Sequence, residues 1–209
     1  MIVDERIITF INSLDTKNSE ILEDIEREAL ADNVPIIRRE MQSFLKVLLM
    51  VKKPMRVLEV GTAVGFSALL MSEYVPEECA ITTIENYEKR IPIARQNFVR
   101  AGKEKKITLL EGDAMDVLKT LEGPYDFIFM DAAKGQYIHY LPEILRLLAK
   151  GGILVSDNVM QDGDVIESRF AVERRDRTIH ARMREYLYEL KHNDALVTSV
   201  SYTHLRAHE

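Results

Sequence analysis

The chain has 209 residues, 46% hydrophobic and 30% charged, which suits one globular domain with a full core. No apolar run is long enough for a membrane span, no basic-then-apolar leader opens the chain, and the single Cys79 excludes an internal disulfide or a cysteine zinc cluster; a cytoplasmic location is expected. The net charge of −6 lies in residues 1–32, where nine acids face three bases, and the neutral remainder leaves room for a local basic face.

In chain order, residues 4–14 predict a helix with Ile7, Ile8, Phe10, Ile11 and Leu14 on one side. Asn18 or Ser19 is placed to cap a second helix through Ala31, with Ile21, Leu22, Ile25 and Ala29 or Leu30 as its apolar stripe. Asn33 and Pro35 break the chain. A third helix is predicted from Ile36 to Val51, carrying Ile37, Met41, Phe44, Leu45 and Leu48 at helical spacing. These helices (residues 1–52) are expected to cap a core spanning 53–200.

From Arg56, strands and helices alternate. Val57–Ser67, V-L-E-V-G-T-A-V-G-F-S, reads as a buried strand, a glycine turn and a helix start. Further strands are predicted at Ala80–Glu85, Lys106–Glu111, Tyr125–Asp131, Ile153–Asp157 and Ala195–Val200. Helices are predicted at Lys89–Arg100, from Gly112-Asp113-Ala114 to Leu121, at Leu141–Ala149, and over Asp164–Leu190 with a break near Val172. This rhythm implies an α/β fold with a doubly wound, mostly parallel, Rossmann-like sheet whose ligands bind at the carboxyl ends of the strands.

Those ends carry the chemistry. A glycine turn feeding a helix N-terminus brings free N–H groups to a polar cofactor. The pattern here is G-x-x-x-G with Glu59 before it. That carboxylate disfavours a pyrophosphate, and S-adenosylmethionine, with its ammonium and sulfonium, fits better than NAD. Glu85, 24 residues after Gly61, is placed to accept from ribose hydroxyls. Asp113 and Ala114 would then lie near the adenine. Asp131, Asp157 and Asn158 end neighbouring strands, and an oxygen-only set suits Mg²⁺, Mn²⁺ or Ca²⁺. Lys134 can reach the same pocket. Beside a cation its ammonium is expected to be disfavoured, making it a candidate general base; a surface lysine at a helix start is the alternative.

The motifs V-L-E-V-G-T-A-V-G-F-S, T-I-E, G-D-A, F-M-D-A-A-K-G-Q-Y and V-S-D-N-V, in that order over residues 34–200, resemble the metal-dependent O-methyltransferases of the catechol and caffeoyl-CoA type. Within that group the chain is most similar to the bacterial tRNA 5-hydroxyuridine methyltransferases, through D-N-V-P-I, D-A-A-K-G-Q-Y and an arginine-rich stretch after D-N-V. The resemblance implies the class I methyltransferase fold, usually dimeric. It implies S-adenosylmethionine contacts at Ile37, Ser67, Glu85, Asp113, Ala114 and Asp131, with Glu59 and Gly61 nearby. It implies Mg²⁺ at Asp131, Asp157 and Asn158, and a base role at Lys134. The implied acceptor is 5-hydroxyuridine in the tRNA anticodon loop, with small catechols or phenylpropanoids as the alternative; a non-catalytic cofactor-binding protein is a third reading.

Residues 169–184 hold six arginines, Arg169, Arg174, Arg175, Arg177, Arg182 and Arg184, against Glu173 and Asp176. With Arg38 and Arg39 they could bind phosphates, or they could form a solvated, ion-paired helix face. Tyr137, Tyr140 and Phe170 could stack on a flipped-out base or simply pack. The resembled family closes its sheet with a sixth and an antiparallel seventh strand. The end S-Y-T-H-L-R-A-H-E lacks both the glycine turn and the alternation this needs, so a lost seventh strand and a disordered tail at 201–209 are expected.

Overall fold

The computed structural model describes residues 5–201. Three helices precede the sheet. α1 (Glu5–Ser13) buries only Ile8; Ile7, Phe10, Ile11 and the following Leu14 are exposed, so the predicted stripe lies largely outside the core. α2 (Glu20–Ala31) follows Ser19 and opens with Glu20 and Glu23, which suit the positive end of the helix dipole. It buries Leu22, Ile25 and Ala29, while Leu30 points out. α3 runs Arg39–Lys52, three residues later than expected, because Pro35 and the extended Arg38 keep residues 35–38 out of the helix. Its Met41, Leu45 and Leu49 are buried, whereas Phe44, Val47, Met50 and Val51 are exposed.

The sheet has five strands, all parallel, in the order β3-β2-β1-β4-β5: β1 Arg56–Val60, β2 Ala80–Glu85, β3 Ile107–Glu111, β4 Tyr125–Met130 and β5 Leu148–Ser156. β1 and β4 lie inside the sheet and are buried on both faces, largely by apolar residues, as covered parallel strands are; Glu59 in β1 is the exception. One face packs on α2, α3, α4 (Phe66–Glu73) and α5 (Ile91–Arg100) through Val57, Ile81, Phe127 and Phe129. The other, through Leu58, Val60, Ile128 and Met130, packs on α6 (Ala114–Thr120), α7 (Tyr137–Leu147) and α8 (Arg177–His192). No helix is long and apolar enough to cross a membrane among the described residues.

Three expectations are corrected. The helix expected at Leu141 begins at Tyr137, because the buried stripe Tyr137, Tyr140, Leu141, Ile144 and Leu147 outweighs the internal Pro142. It ends at Leu147, and β5 starts at once. Tyr125 pairs with Leu148 and Phe127 with Ile153, so β5 carries extra residues across Gly151, whose φ of +72° turns the bulge.

The helix expected from Asp164 is instead a 3-10 turn (Gln161–Ile166), an irregular stretch and then α8. Left-handed Asn158, Gln161 and Asp162 and Gly163 stop helix propagation there. Arg169, Arg174 and Arg175 are therefore not on a helix.

The strand expected at 195–200 does not form. That segment is held by Thr198 Oγ1 donating to Leu190 O at 2.8 Å and by Lys191 Nζ donating to Thr198 O at 2.7 Å. It stands off from β5 across a groove lined by Leu148, Leu154, Leu187 and Leu190. Among the described residues β5 pairs only with β4, since a strand exists only where a neighbour completes its ladder. Of the tail expected to be disordered, residues 202–209 lie outside the described residues.

Candidate active site

A cavity of about 460 Å³ opens at the carboxyl ends of the strands. Its first wall is the turn after β1. Gly61 has φ +105°, and a Cβ there would stand 2.1 Å from the Asp131 carbonyl oxygen. Gly65, at φ +86°, would bring a Cβ to 2.5 Å from the Phe98 ring. Both glycines are demanded first by the protein's own packing. Ala63 adopts φ +48°, unusual for a residue with a side chain, and its N–H donates to Glu85 Oε2 at 2.7 Å. Glu85 Oε1 accepts from Asn86 N at 3.0 Å and Tyr87 N at 2.9 Å. Glu85 thus fastens the β1 and β2 turns together and still lines the cavity, as do Ile37, Gly61, Ser67 and Ala114.

Two expected cofactor residues sit elsewhere. Asp113 is the N-cap of α6: its Oδ1 accepts from Met115 N at 2.8 Å, and it is exposed beside the cavity rather than on its wall. Glu59, within β1, is fully buried. Its Oε2 accepts from Thr83 Oγ1 at 2.5 Å, and Thr83 Oγ1 bonds Thr62 Oγ1 at 2.6 Å. Thr62 and Ser67 line the cavity, so Glu59 reaches it through their hydroxyls rather than directly. Burial pushes the Glu59 carboxyl up to about 7, against the hydrogen bonds from Ser67 and Thr83 that favour its anion.

The second wall is built from adjacent strand ends. Met130 pairs with Ser156, and the ladder continues as Asp131 N donating to Val60 O and Asp157 N donating to Met130 O, both at 2.9 Å. The register brings Asp131 and Asp157 side by side, with Asn158 at φ +52° turning onto the same wall. This oxygen-only donor set fits Mg²⁺. Among the described residues no group of three His, Cys, Asp or Glu is placed to hold a metal ion; the candidate set here is two carboxylates and an amide.

Lys134 opens the 3-10 turn (Lys134–Gln136) after β4. Its Nζ donates to Asp131 Oδ1 at 2.7 Å and to Tyr137 Oη at 3.0 Å. Burial works against the ammonium, but Tyr137 and Asp131 outweigh it and hold the lysine above its ordinary pKa. Tyr137 is fully buried and has no face for a base; Tyr140 is buried at the cavity wall, and Phe170 is exposed.

The arginines divide by partner. Arg38 lines the cavity, and its Nη2 donates to Asp162 Oδ1 at 2.8 Å, linking the segment before α3 to the turn after β5. Arg39 faces Glu26 at 3.1 Å and Glu23 at 3.7 Å, away from the cavity. Arg175 pairs with Glu173 and Asp176. Arg177, Arg182 and Arg184 donate to Val172 O, Gly135 O and Val165 O. Arg169 and Arg174 are exposed and make no hydrogen bond or ion pair among the described residues. No local spacing in the sequence flags the links through Thr62, Thr83 and Asp162.

Strand order, glycine turn and strand-end acids together define the class I, Rossmann-like methyltransferase fold. The O-methyltransferase family profile matches residues 12–200, and the chain belongs to that family. It is 35% identical over 128 residues to a catechol O-methyltransferase of Niastella koreensis, covering 59% of this chain and 58% of that protein. It is also 35% identical over 133 residues to caffeoyl-CoA O-methyltransferase 2 of Populus trichocarpa, covering 59% and 52%. The chain thus spans about half the length of the curated relatives it matches. The SAH-bound structure of the Podospora anserina methyltransferase PaMTH1 superposes with a TM-score of 0.81 at 27% identity, over 91% of this chain and 86% of that one.

Proposed function

We propose that this chain is an S-adenosylmethionine- and Mg²⁺-dependent O-methyltransferase whose acceptor is the 5-hydroxyl of 5-hydroxyuridine at the tRNA wobble position. The observation that carries the chemistry is the convergence of Asp131, Asp157 and Asn158 on the cavity that the Gly61–Ser67 turn and Glu85 also line. The wobble acceptor is supported by the D-N-V-P-I and D-A-A-K-G-Q-Y motifs and by the free guanidinium groups of Arg169 and Arg174. A catechol acceptor is the second reading, favoured by the names of the relatives. A cofactor-binding protein without transferase activity is the third.

The cofactor supplies an electrophilic methyl carbon on sulfur. A divalent cation bound at Asp131, Asp157 and Asn158 supplies charge to stabilise an acceptor oxyanion. A 5-hydroxyuracil sets its hydroxyl beside the C4 carbonyl oxygen, the same paired-oxygen edge that a catechol presents. Glu85 and the backbone of the glycine turn orient the donor; Ile37, Ser67 and Ala114 shape its pocket. Glu59 acts on it through Ser67 and through Thr83 and Thr62, and Asp113 by fixing the start of α6. For Lys134 Nζ to receive the hydroxyl proton, its ammonium must first give up a proton to solvent, which requires that Asp131 and Tyr137 cease to favour the charged form. Transfer of the methyl group to oxygen leaves a neutral thioether, and much of the acceleration comes from holding the two reactants in line. The exposed apolar residues of α1 and α3 are the surface we assign to a homodimer contact.

Labelled S-adenosylmethionine with Mg²⁺, offered tRNA lacking the wobble methoxy group beside a panel of catechols, tests all three readings. Label in tRNA alone supports the first, and label in catechols alone sinks it. Cofactor binding without transfer to either supports the third. Equal transfer in EDTA would remove the metal.

A further inference from the structure

Beneath the carboxylate wall lie two buried tyrosines from different helices. Tyr137 Oη donates to Met130 O at 2.9 Å and accepts from Lys134 Nζ at 3.0 Å. Tyr186, from α8, meets the Tyr137 ring edge to face, with centroids 5.5 Å apart. Its hydroxyl shares a 2.6 Å hydrogen bond with Ser156 Oγ and stands 4.0 Å from Met130 Sδ. Met130 and Ser156 are paired in the sheet, and the next residue of each strand is a candidate metal ligand. One turn earlier on α8, Arg182 Nη1 donates to Gly135 O at 3.1 Å, beside Lys134. A single helix thus grips the stems of Asp131 and Asp157 and of the Lys134 turn. Packing alone would not require the hydroxyl, since a phenylalanine fills the same space in a wholly apolar layer.

From this juxtaposition we infer that Tyr186 is a positioning residue of the acceptor side, its hydroxyl setting the spacing between Asp131 and Asp157 through Ser156 and Met130. The inference rests on the proposed metal-dependent reading. Groups that orient metal ligands from behind typically change metal affinity or activity by about 10–100-fold when removed.

The test titrates the full chain with Mn²⁺, followed by its electron paramagnetic resonance signal, and measures S-adenosylhomocysteine affinity by calorimetry. Tyr186→Phe is expected to weaken Mn²⁺ about tenfold and lower kcat by a similar factor. The KM for S-adenosylmethionine and the affinity for S-adenosylhomocysteine should stay within about twofold. Ser156→Ala should reproduce the loss, and the double variant should be no worse than either single one, because both remove the same hydrogen bond. Either single variant suffices if the other does not fold. Unchanged Mn²⁺ affinity, additive losses in the double variant, or a parallel fall in S-adenosylhomocysteine affinity would overturn the inference. A wild-type chain that binds no Mn²⁺ would instead overturn the metal reading, and this inference with it.

Discussion

The two walls of the cavity are built on different principles. The donor wall comes from one continuous stretch, β1 to the start of α4, clipped to β2 by Glu85. The acceptor wall is assembled from two strand ends, a 3-10 turn and a helix some 50 residues further along the chain. A local wall depends on backbone conformation; an assembled one depends on long-range packing. The first should fail through strain and burial, the second through misplacement of charged groups.

The sharpest separation comes from Asp157→Ala. Methyl transfer should fall at least about 10³-fold while S-adenosylhomocysteine affinity, read by calorimetry, stays largely intact. Loss of both together would mean that the walls are not separable. Gly61→Ala attacks the seam between them. A Cβ 2.1 Å from the Asp131 carbonyl, at a φ of +105°, should cost about 3–4 kcal/mol in urea denaturation and impair both walls at once.

A slightly smaller effect is expected at Glu59. The folded chain holds the Glu59 proton to about pH 7, whereas the unfolded chain releases it near 4.5. The folded state therefore binds more protons across that window. Stability from this group is full below pH 4.5, declines as pH rises through 7, and totals up to about 3 kcal/mol. Comparing Glu59→Gln with wild type across pH 4.5–8 should show that part of the slope vanish from the variant. The smallest effect lies outside both walls: removing Arg169 and Arg174 together should weaken tRNA about tenfold and reduce the salt slope by about 2, with small-acceptor kinetics unchanged.

Much of the donor wall was legible because its determinants are short-range. β2 has the predicted bounds Ala80–Glu85, and Gly61 and Gly65 sit at the turn boundaries predicted for them. The strand-end acids Asp131 and Asp157 were legible for the same reason. What escaped depends on distant partners. Nothing local shows that Tyr137 is wholly buried or that Arg182 and Arg184 are spent on loop carbonyls. The segment 195–200 has strand-like residues, but no neighbour pairs with it.

The contact between Gly61 and the Asp131 carbonyl also bears on how such a chain can change over generations. The methyl donor's turn and the first residue of the acceptor wall are in van der Waals contact, so neither can be remodelled without the other. On the proposed reading, new acceptors are to be explored where the cavity is lined by an independent segment, at residues 35–38. On that reading acceptor choice is free to vary at one rim while the seam between the two walls stays fixed.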